Sequence, residues 1–314
     1  MRTPPVVVAV VAALVLSIVP ATAAQAKSVD YDLPQSGVLL EGIGLAEDGD
    51  TFYVSGVNDG GNLYRGEVGE ETLKLWYDGS GTTGRGIDVD DEGRVFVAGG
   101  PSGTVRIFDE SGVLLTTVAN NAAGSFLNDL WVGPDGSVFV TDSSLPTIWR
   151  ITEGATGWQM DPWLDVSSTI AYTPATTDFD LGGIVTTKDD DFLLTSQGTT
   201  GQLWRIDLTT REILQVDLDG DSIVNADGIV LKGRKLWVVQ NFTRQVSLFK
   251  LDSDWESARL KRVQQTPAGK TLTTAKLAKG RLLAVDSQFG FPPAAAPADD
   301  RVISLKPSAG DRAR

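Results

Sequence analysis

The sequence predicts an all-β fold: a six-bladed β-propeller with four antiparallel strands per blade, its ring closed by an N-terminal strand in the last blade. Three observations carry that expectation. An Ile or Leu anchor recurs at residues 43, 87, 130, 184, 229 and 277, at spacings of 44, 43, 54, 45 and 48. Each anchor opens the same pattern of apolar strand, polar turn, second strand, loop and third strand. The segments are rich in Val, Ile, Trp and Gly turns, which favours strands over helical repeats of similar period.

The first blade begins at Glu41-Gly42-Ile43, turns at Asp48-Gly49-Asp50 and continues as Thr51-Phe52-Tyr53-Val54. The second runs from Arg85-Gly86-Ile87 through Asp91-Glu92-Gly93 to Val95-Phe96-Val97. The third runs from Asn128-Asp129-Leu130 through Pro134-Asp135-Gly136 to Val138-Phe139-Val140. The fourth opens at Gly182-Gly183-Ile184 and the fifth at Asp227-Gly228-Ile229. The sixth is read from Ala275-Lys276-Leu277. Third strands recur, from Leu63-Tyr64-Arg65 to Val302-Ile303-Ser304, and fourth strands follow in five blades. The sixth has none of its own before the chain ends. Val29-Asp30-Tyr31-Asp32-Leu33 supplies the missing strand and removes an exposed edge.

No composition break divides the repeats, so residues 27–307 read as one domain and 308–314 as a flexible tail. Residues 1–26 read as a cleavable secretory signal. Arg2 precedes an apolar run from Val6 to Val19, and Ala24-Gln25-Ala26 offers small residues for cleavage. The run is short for a membrane span, so the expectation is a secreted protein, off the membrane once the signal is removed.

The chain carries 41 Asp and Glu against 27 Lys and Arg, a formal charge of −14. That balance opposes a nucleic-acid partner, since phosphates need clustered Lys and Arg. The absence of His and Cys excludes more. It removes a Ser-His-Asp triad, a thiol nucleophile and an imidazole base. It removes the ordinary ligands of zinc, haem and redox metals. Any metal must be a hard cation held by oxygen, with Ca2+ expected first and Mg2+ second. No haem, zinc or nucleotide cofactor is expected.

In a propeller the inner strand of each blade starts at one mouth of the central channel. Aligning the anchors puts Glu41, Arg85, Asn128, Gly182, Asp227 and Ala275 at that entrance. Glu41 and Asp227 stand at strand starts where turn chemistry requires no acid, whereas Asp48, Asp91, Asp135 and Asp190 are ordinary turn residues. Oxygen ligands from separate blades can meet one ion on the axis. Asn128 is either a ligand or a loop cap. Arg85 either pairs with Glu41 or receives a substrate anion. Two insertions, 167–178 and 287–300, fall on the same mouth and have the lengths of binding loops or lids. Asp142-Ser143, Ser196-Gln197, Gln240-Asn241 and Asp286-Ser287-Gln288 are further mouth candidates. Asn241-Phe242-Thr243 also matches a glycosylation acceptor.

These motifs resemble the senescence-marker-protein/gluconolactonase family, also called regucalcin-like. The matching residues are the opening Glu41-Gly42, the third-blade Asn128-Asp129 with its Pro134-Asp135-Gly136 turn, and the fifth-blade Asp227-Gly228. The resemblance implies a six-bladed propeller and calcium-dependent lactonase chemistry. It implies metal ligation by Glu41, Asn128 and Asp227, with an acid/base role for Asp227. One position departs: the family's fourth-blade Asn-Gly is Gly182-Gly183 here, so a ligand is missing, and Asp180 is the nearest substitute.

The expected function is therefore an exported calcium-dependent lactone or ester hydrolase, monomeric and acting on a small molecule. Asp227 would be catalytic, and Arg85 and Asn128 would bind substrate. The alternative is a non-catalytic exported propeller that binds a sugar, peptide or protein partner.

Overall fold

The second strand of every blade is almost wholly apolar, which means that both of its faces are buried. Alternate side chains serve the two neighbouring blades. Phe52 and Val54 face the sixth blade while Tyr53 faces the second. Phe139 faces the fourth blade while Val138 and Val140 face the second. The same division repeats around the ring, so the core consists of six apolar clusters, one between each pair of neighbouring blades.

The computed structural model describes residues 29–79, 81–133, 135–173 and 179–307. The signal segment 1–26 and the tail 308–314 lie outside the described residues, as do 174–178 of the first insertion. Blade 1 comprises Leu40–Leu45, Thr51–Gly56, Leu63–Glu67 and Lys74–Tyr77, paired in chain order. Blades 2 to 5 repeat that order, with inner strands Ile87–Val89, Leu127–Val132, Leu181–Thr186 and Ala226–Lys232. Blade 6 has three strands, Leu272–Ala278, Arg281–Asp286 and Val302–Leu305. The six-bladed all-β expectation is met. A short 3-10 turn, Pro293–Ala295, lies in the second insertion.

The N-terminal segment closes the ring as expected, though through a bridge rather than a full strand. Tyr31 pairs antiparallel with Val302 in blade 6, and Asp32 bridges in parallel to Thr72 in blade 1. The Tyr31 amide donates to the Val302 carbonyl at 2.8 Å, and the Leu73 amide donates to Asp32 at 2.8 Å. The Tyr31 ring, 1% exposed, meets Phe52 edge-on at 4.9 Å. The segment is therefore held by both the last and the first blade.

At the axis the inner strands come very close. In blades 1, 3, 4, 5 and 6 the inner strand carries a bulge at its entrance, where two residues oppose one on the next strand. The second bulge residue is Gly42 in blade 1 and Gly228 in blade 5. A Cβ on Gly42 would sit 2.2 Å from the Arg85 carbonyl oxygen, and one on Gly228 would sit 2.0 Å from Thr274 Oγ1. Only glycine allows that contact.

The closing contact predicts its own weakness. Tyr31→Ala should cost about 3–5 kcal/mol, the usual loss for a large aromatic removed from a packed core. Denaturant unfolding should show a lower midpoint with an unchanged slope. An effect below about 1 kcal/mol would mean that the ring does not depend on this segment.

Candidate functional site

The starts of the inner strands, bulged in every blade but the second, meet at the channel mouth, and five of the six expected residues line a single cavity there. Glu41, Arg85, Asn128, Gly182 and Asp227 face a volume of about 440 Å³ at the mouth. The sixth expectation needs correction. The blade-6 pairings Leu272 with Asp286 and Ala275 with Ala284 correspond to Leu40 with Gly56 and Ile43 with Val54 in blade 1. Ala275 is thus the equivalent of the anchor Ile43, and Thr273 stands at the entrance. Leu277 misled the alignment because it is the larger apolar residue, two positions further on.

The entrance backbones are tied from blade to blade by hydroxyls. Ser55 donates to the Arg85 carbonyl, Thr141 to Gly182, Ser196 to Asp227 and Thr273 to Glu41, at 2.7–2.9 Å. The Gly86 amide donates directly to the Asn128 carbonyl at 2.8 Å. These bonds hold the functional side chains on a rigid ring rather than on loops.

Two side chains are oriented by a committed neighbour. Ser143 gives its proton to the Leu181 carbonyl at 2.5 Å and so accepts from Asn128 Nδ2 at 2.8 Å. The Asn128 amide nitrogen is thereby fixed, leaving Oδ1 as its free acceptor. Asn241 accepts from the Phe242 amide at 2.6 Å and donates Nδ2 to Asp227 Oδ2 at 3.0 Å.

The acids are crowded and poorly solvated. Glu41 is 5% exposed, and its Oε2 is buried with no hydrogen-bond partner. Burial first, and then the charge of Asp227, hold the Glu41 carboxyl well above the usual carboxylate range, against the pull of Arg85. Burial pushes Asp227 up to about 7; the Asn241 hydrogen bond and Arg85 oppose the rise, and Asp129 adds to it. Asp129, in the next layer down, is pushed up to about 6 by burial, with Lys276 opposing. Arg85 lies over the Phe126 ring at 5.0 Å, and its buried Nε lacks a partner. It lowers both Glu41 and Asp227 through space, and no hydrogen bond joins Arg85 to Glu41 Oε2.

One residue beyond the anchors, Lys276 of blade 6 reaches Asp88 of blade 2 at 2.8 Å and lies over Trp131 of blade 3 at 4.9 Å. This cross-channel pair underlies the acids and was not expected from the sequence.

Other candidates prove to be braces. Asp142 accepts from Ser125, Phe126, Ser144, Leu145 and Trp149 and is fully buried. Gln197, Gln240 and Asp286 occupy the same repeat position and anchor mouth loops in the same way. Asp180 does not substitute for the missing fourth-blade ligand. Its carboxylate accepts from Thr173, Gln197 and Thr199, and it does not line the cavity. Asn241 is engaged at Asp227 and faces the cavity, which argues against its use as a glycosylation acceptor.

Sequence reasoning put the second insertion, with Phe289, at this mouth but missed the rest of the aromatic rim. Phe126, Phe179 and Phe242 line the cavity together with Phe289 of the second insertion. Phe126 and Phe179 precede their inner strands by one and two residues, a placement that could have flagged them. Thr173 lies within the first insertion and Phe179 directly follows it, so both inserted loops contribute to the wall of this mouth.

Among the described residues no group of three or more His, Cys, Asp or Glu forms a metal cluster. The expected oxygen donors that face the cavity are two carboxylates and one amide, from Glu41, Asp227 and Asn128. That set, with an unpartnered Glu41 oxygen and two acids raised chiefly by burial, suits a hard cation.

No protein-family model matches the sequence, and comparison with curated proteins finds no match. Solved structures do share the fold. The chain is similar to regucalcin, a calcium-binding protein of Agrobacterium tumefaciens, with 16% identity, a TM-score of 0.62 and coverage of 89% of this chain and 95% of that one. It is similar to a gluconolactonase of Xanthomonas campestris, with 18% identity, a TM-score of 0.59 and coverage of 82% and 85%. It is also similar to virginiamycin B lyase of Staphylococcus aureus, with 13% identity, a TM-score of 0.54 and coverage of 88% and 98%. The expected likeness to regucalcin and gluconolactonase is met at the level of the fold, which the lyase shares.

The raised acids give a pH signature for the protein free of divalent cations. Folding disfavours ionisation of Asp227, so the folded state loses stability as pH rises from about 4 through about 7. Asp227→Asn removes that charge. The variant should melt at a higher temperature than the parent at pH 8 and gain little at pH 4, by calorimetry in chelator. Equal gains at both pH values would refute a charge origin.

Proposed function

We infer that the protein is an exported divalent-cation-dependent hydrolase of lactones or esters, gluconolactonase-like, working at the propeller mouth. The observation that carries this reading is the convergence of Glu41, Asp227 and the oriented Asn128 amide from three blades on one cavity, with Glu41 Oε2 left without a partner. The signal-like first 26 residues support export.

Glu41, Asn128 Oδ1 and Asp227 would hold the cation, Ca2+ by preference, since every donor is a hard oxygen. When bound, a dication supplies polarisation of the scissile carbonyl and charge stabilisation. The chain's own groups do the rest. Asp227 would accept or return the proton of the step, the task that His performs elsewhere. Asn241 keeps that carboxylate in one orientation. Arg85, stacked on Phe126 and carrying an unpartnered Nε, is placed to receive an anionic oxygen of the substrate. Gly182 gives no oxygen, so that side of the site is left to water or substrate.

Calorimetric titration with Ca2+ tests the reading. Micromolar to millimolar binding should be abolished in Glu41→Gln and Asp227→Asn, and weakened about tenfold in Ser143→Ala, which frees the Asn128 amide to rotate. Affinity should fall as pH drops below about 7, because the carboxylates must be deprotonated to bind. No binding at millimolar Ca2+ or Mg2+ would overturn the hydrolase and leave a binding propeller.

Gly182→Asn provides a gain-of-function test. A Cβ there would lie 3.1 Å from the Asp227 carbonyl oxygen, tight but short of a clash. The added amide oxygen should tighten Ca2+ several-fold; unchanged affinity in a folded variant would place the cation away from blade 4.

A further inference from the structure

The cavity wall above the acids has an unusual division of labour. Most of its polar side chains are already engaged with the protein. Thr173 and Thr199 donate to Asp180, and Thr200 donates to Gln202 at 2.8 Å. Asn225 donates to Thr243 at 2.9 Å, and Asn241 to Asp227. The hydroxyl protons are committed and each amide keeps one N–H, so a polyhydroxylated ligand would find few free donors here, and a buried unmatched hydroxyl is costly.

What the wall offers freely is aromatic surface. Phe126, Phe179, Phe242 and Phe289 face the same cavity. Phe126 and Phe179 pack with ring centroids 4.6 Å apart, extending the stack that begins at Arg85. Phe179 is 53% exposed and Phe242 59%, the two phenylalanines among the exposed large apolar residues described, and both stand at this mouth. Exposing such rings is unfavourable unless a ligand covers them. The cavity is also of a size that holds a ligand larger than a simple ring.

We propose that the substrate is a lactone or ester bearing an apolar alkyl or aryl group, which the four phenylalanines hold while its carbonyl sits at Glu41, Asn128 and Asp227. This inference rests on the hydrolase reading for its chemistry and on the wall alone for its binding. Hydrolysis adds water across the acyl C–O bond. The water oxygen bonds the carbonyl carbon, the ring or ester oxygen leaves with a proton, and no other reactant is required.

The experiment has two arms on the full folded protein with Ca2+. In the first, kcat/KM is measured for δ-lactones from valerolactone to decanolactone and for glucono-δ-lactone. It should rise about fourfold per added methylene over the first few carbons, as burial of each CH2 requires. In Phe179→Ser and Phe242→Ser the ratio of decanolactone to valerolactone should fall about tenfold. Both residues are more than half exposed, so these variants should fold. In the second arm, binding of the alkyl δ-lactam matching decanolactone, which resists hydrolysis, is measured by calorimetry. Preference for the glucono-lactone, or Phe variants without effect on the ratio, would overturn the proposal. If no lactone turns over, the lactam decides. Binding that is lost in the Phe variants upholds the apolar subsite while the hydrolase reading falls. No lactam binding overturns the subsite as well.

Discussion

Everything at the mouth follows from how closely the six inner strands approach one another at the axis. That approach is helped by glycine as the second bulge residue in blades 1, 4 and 5, where a Cβ would meet the neighbouring blade. The bulge itself is the means by which an otherwise alternating strand turns two successive residues toward the axis. One of the two is a glycine that touches the next blade, and the other is a functional side chain that enters the channel. Blade 3 shows the cost of breaking the rule. It carries Asp129 in place of glycine, and that carboxyl is driven up to about 6 in a space shaped for hydrogen. Gly86 of blade 2 yields the room, since a Cβ there would lie 2.3 Å from Asp129 Oδ1.

Polar groups at the mouth divide into spent and unspent ones, and that division locates the chemistry better than residue type. Asp142, Gln197, Gln240 and Asp286 are as buried as Glu41, yet each carries several internal hydrogen bonds that pin loops. They repeat at the same place in four blades, as structural devices do. Glu41 Oε2 and Arg85 Nε have no partner at all. A buried polar atom left unmatched costs free energy, so its persistence at the centre of a cavity indicates an outside partner.

Much of this was legible in the sequence, and what was not has physical reasons. The blades were legible because period-two apolar strands and Gly-containing turns repeat. The entrance residues followed by counting back from Ile43, Ile87, Leu130, Ile184 and Ile229. The count failed in blade 6, where Thr273-Thr274-Ala275 replaces acid-Gly-Ile and Leu277 offers a false anchor. Asp180 was a plausible ligand by distance along the chain, but Thr173 and Thr199 close on it only in three dimensions. Most of the phenylalanine rim stayed hidden because its members sit on loops of unequal length, where no periodicity aligns them. Lys276 could not be paired with Asp88 from sequence, because the contact joins blade 6 to blade 2 across blade 1.

The electrostatic balance of the channel explains why such a site can persist. Glu41, Asp227 and Asp129 repel one another in a poorly solvated space, which would destabilise the ring if nothing opposed them. Two cations are stationed at its ends, Arg85 at the entrance and Lys276 below. Lys276 is already committed to Asp88 at 2.8 Å, and Arg85 acts on the two entrance acids only through space. The built-in compensation is therefore incomplete where the cavity opens and more complete beneath it. A ring closed by Tyr31 and tied by hydroxyls between blades can tolerate that residual repulsion, because each entrance strand shares such a bond with at least one neighbouring blade. Rigidity in the scaffold thus holds the two carboxylates near each other rather than letting them relax apart.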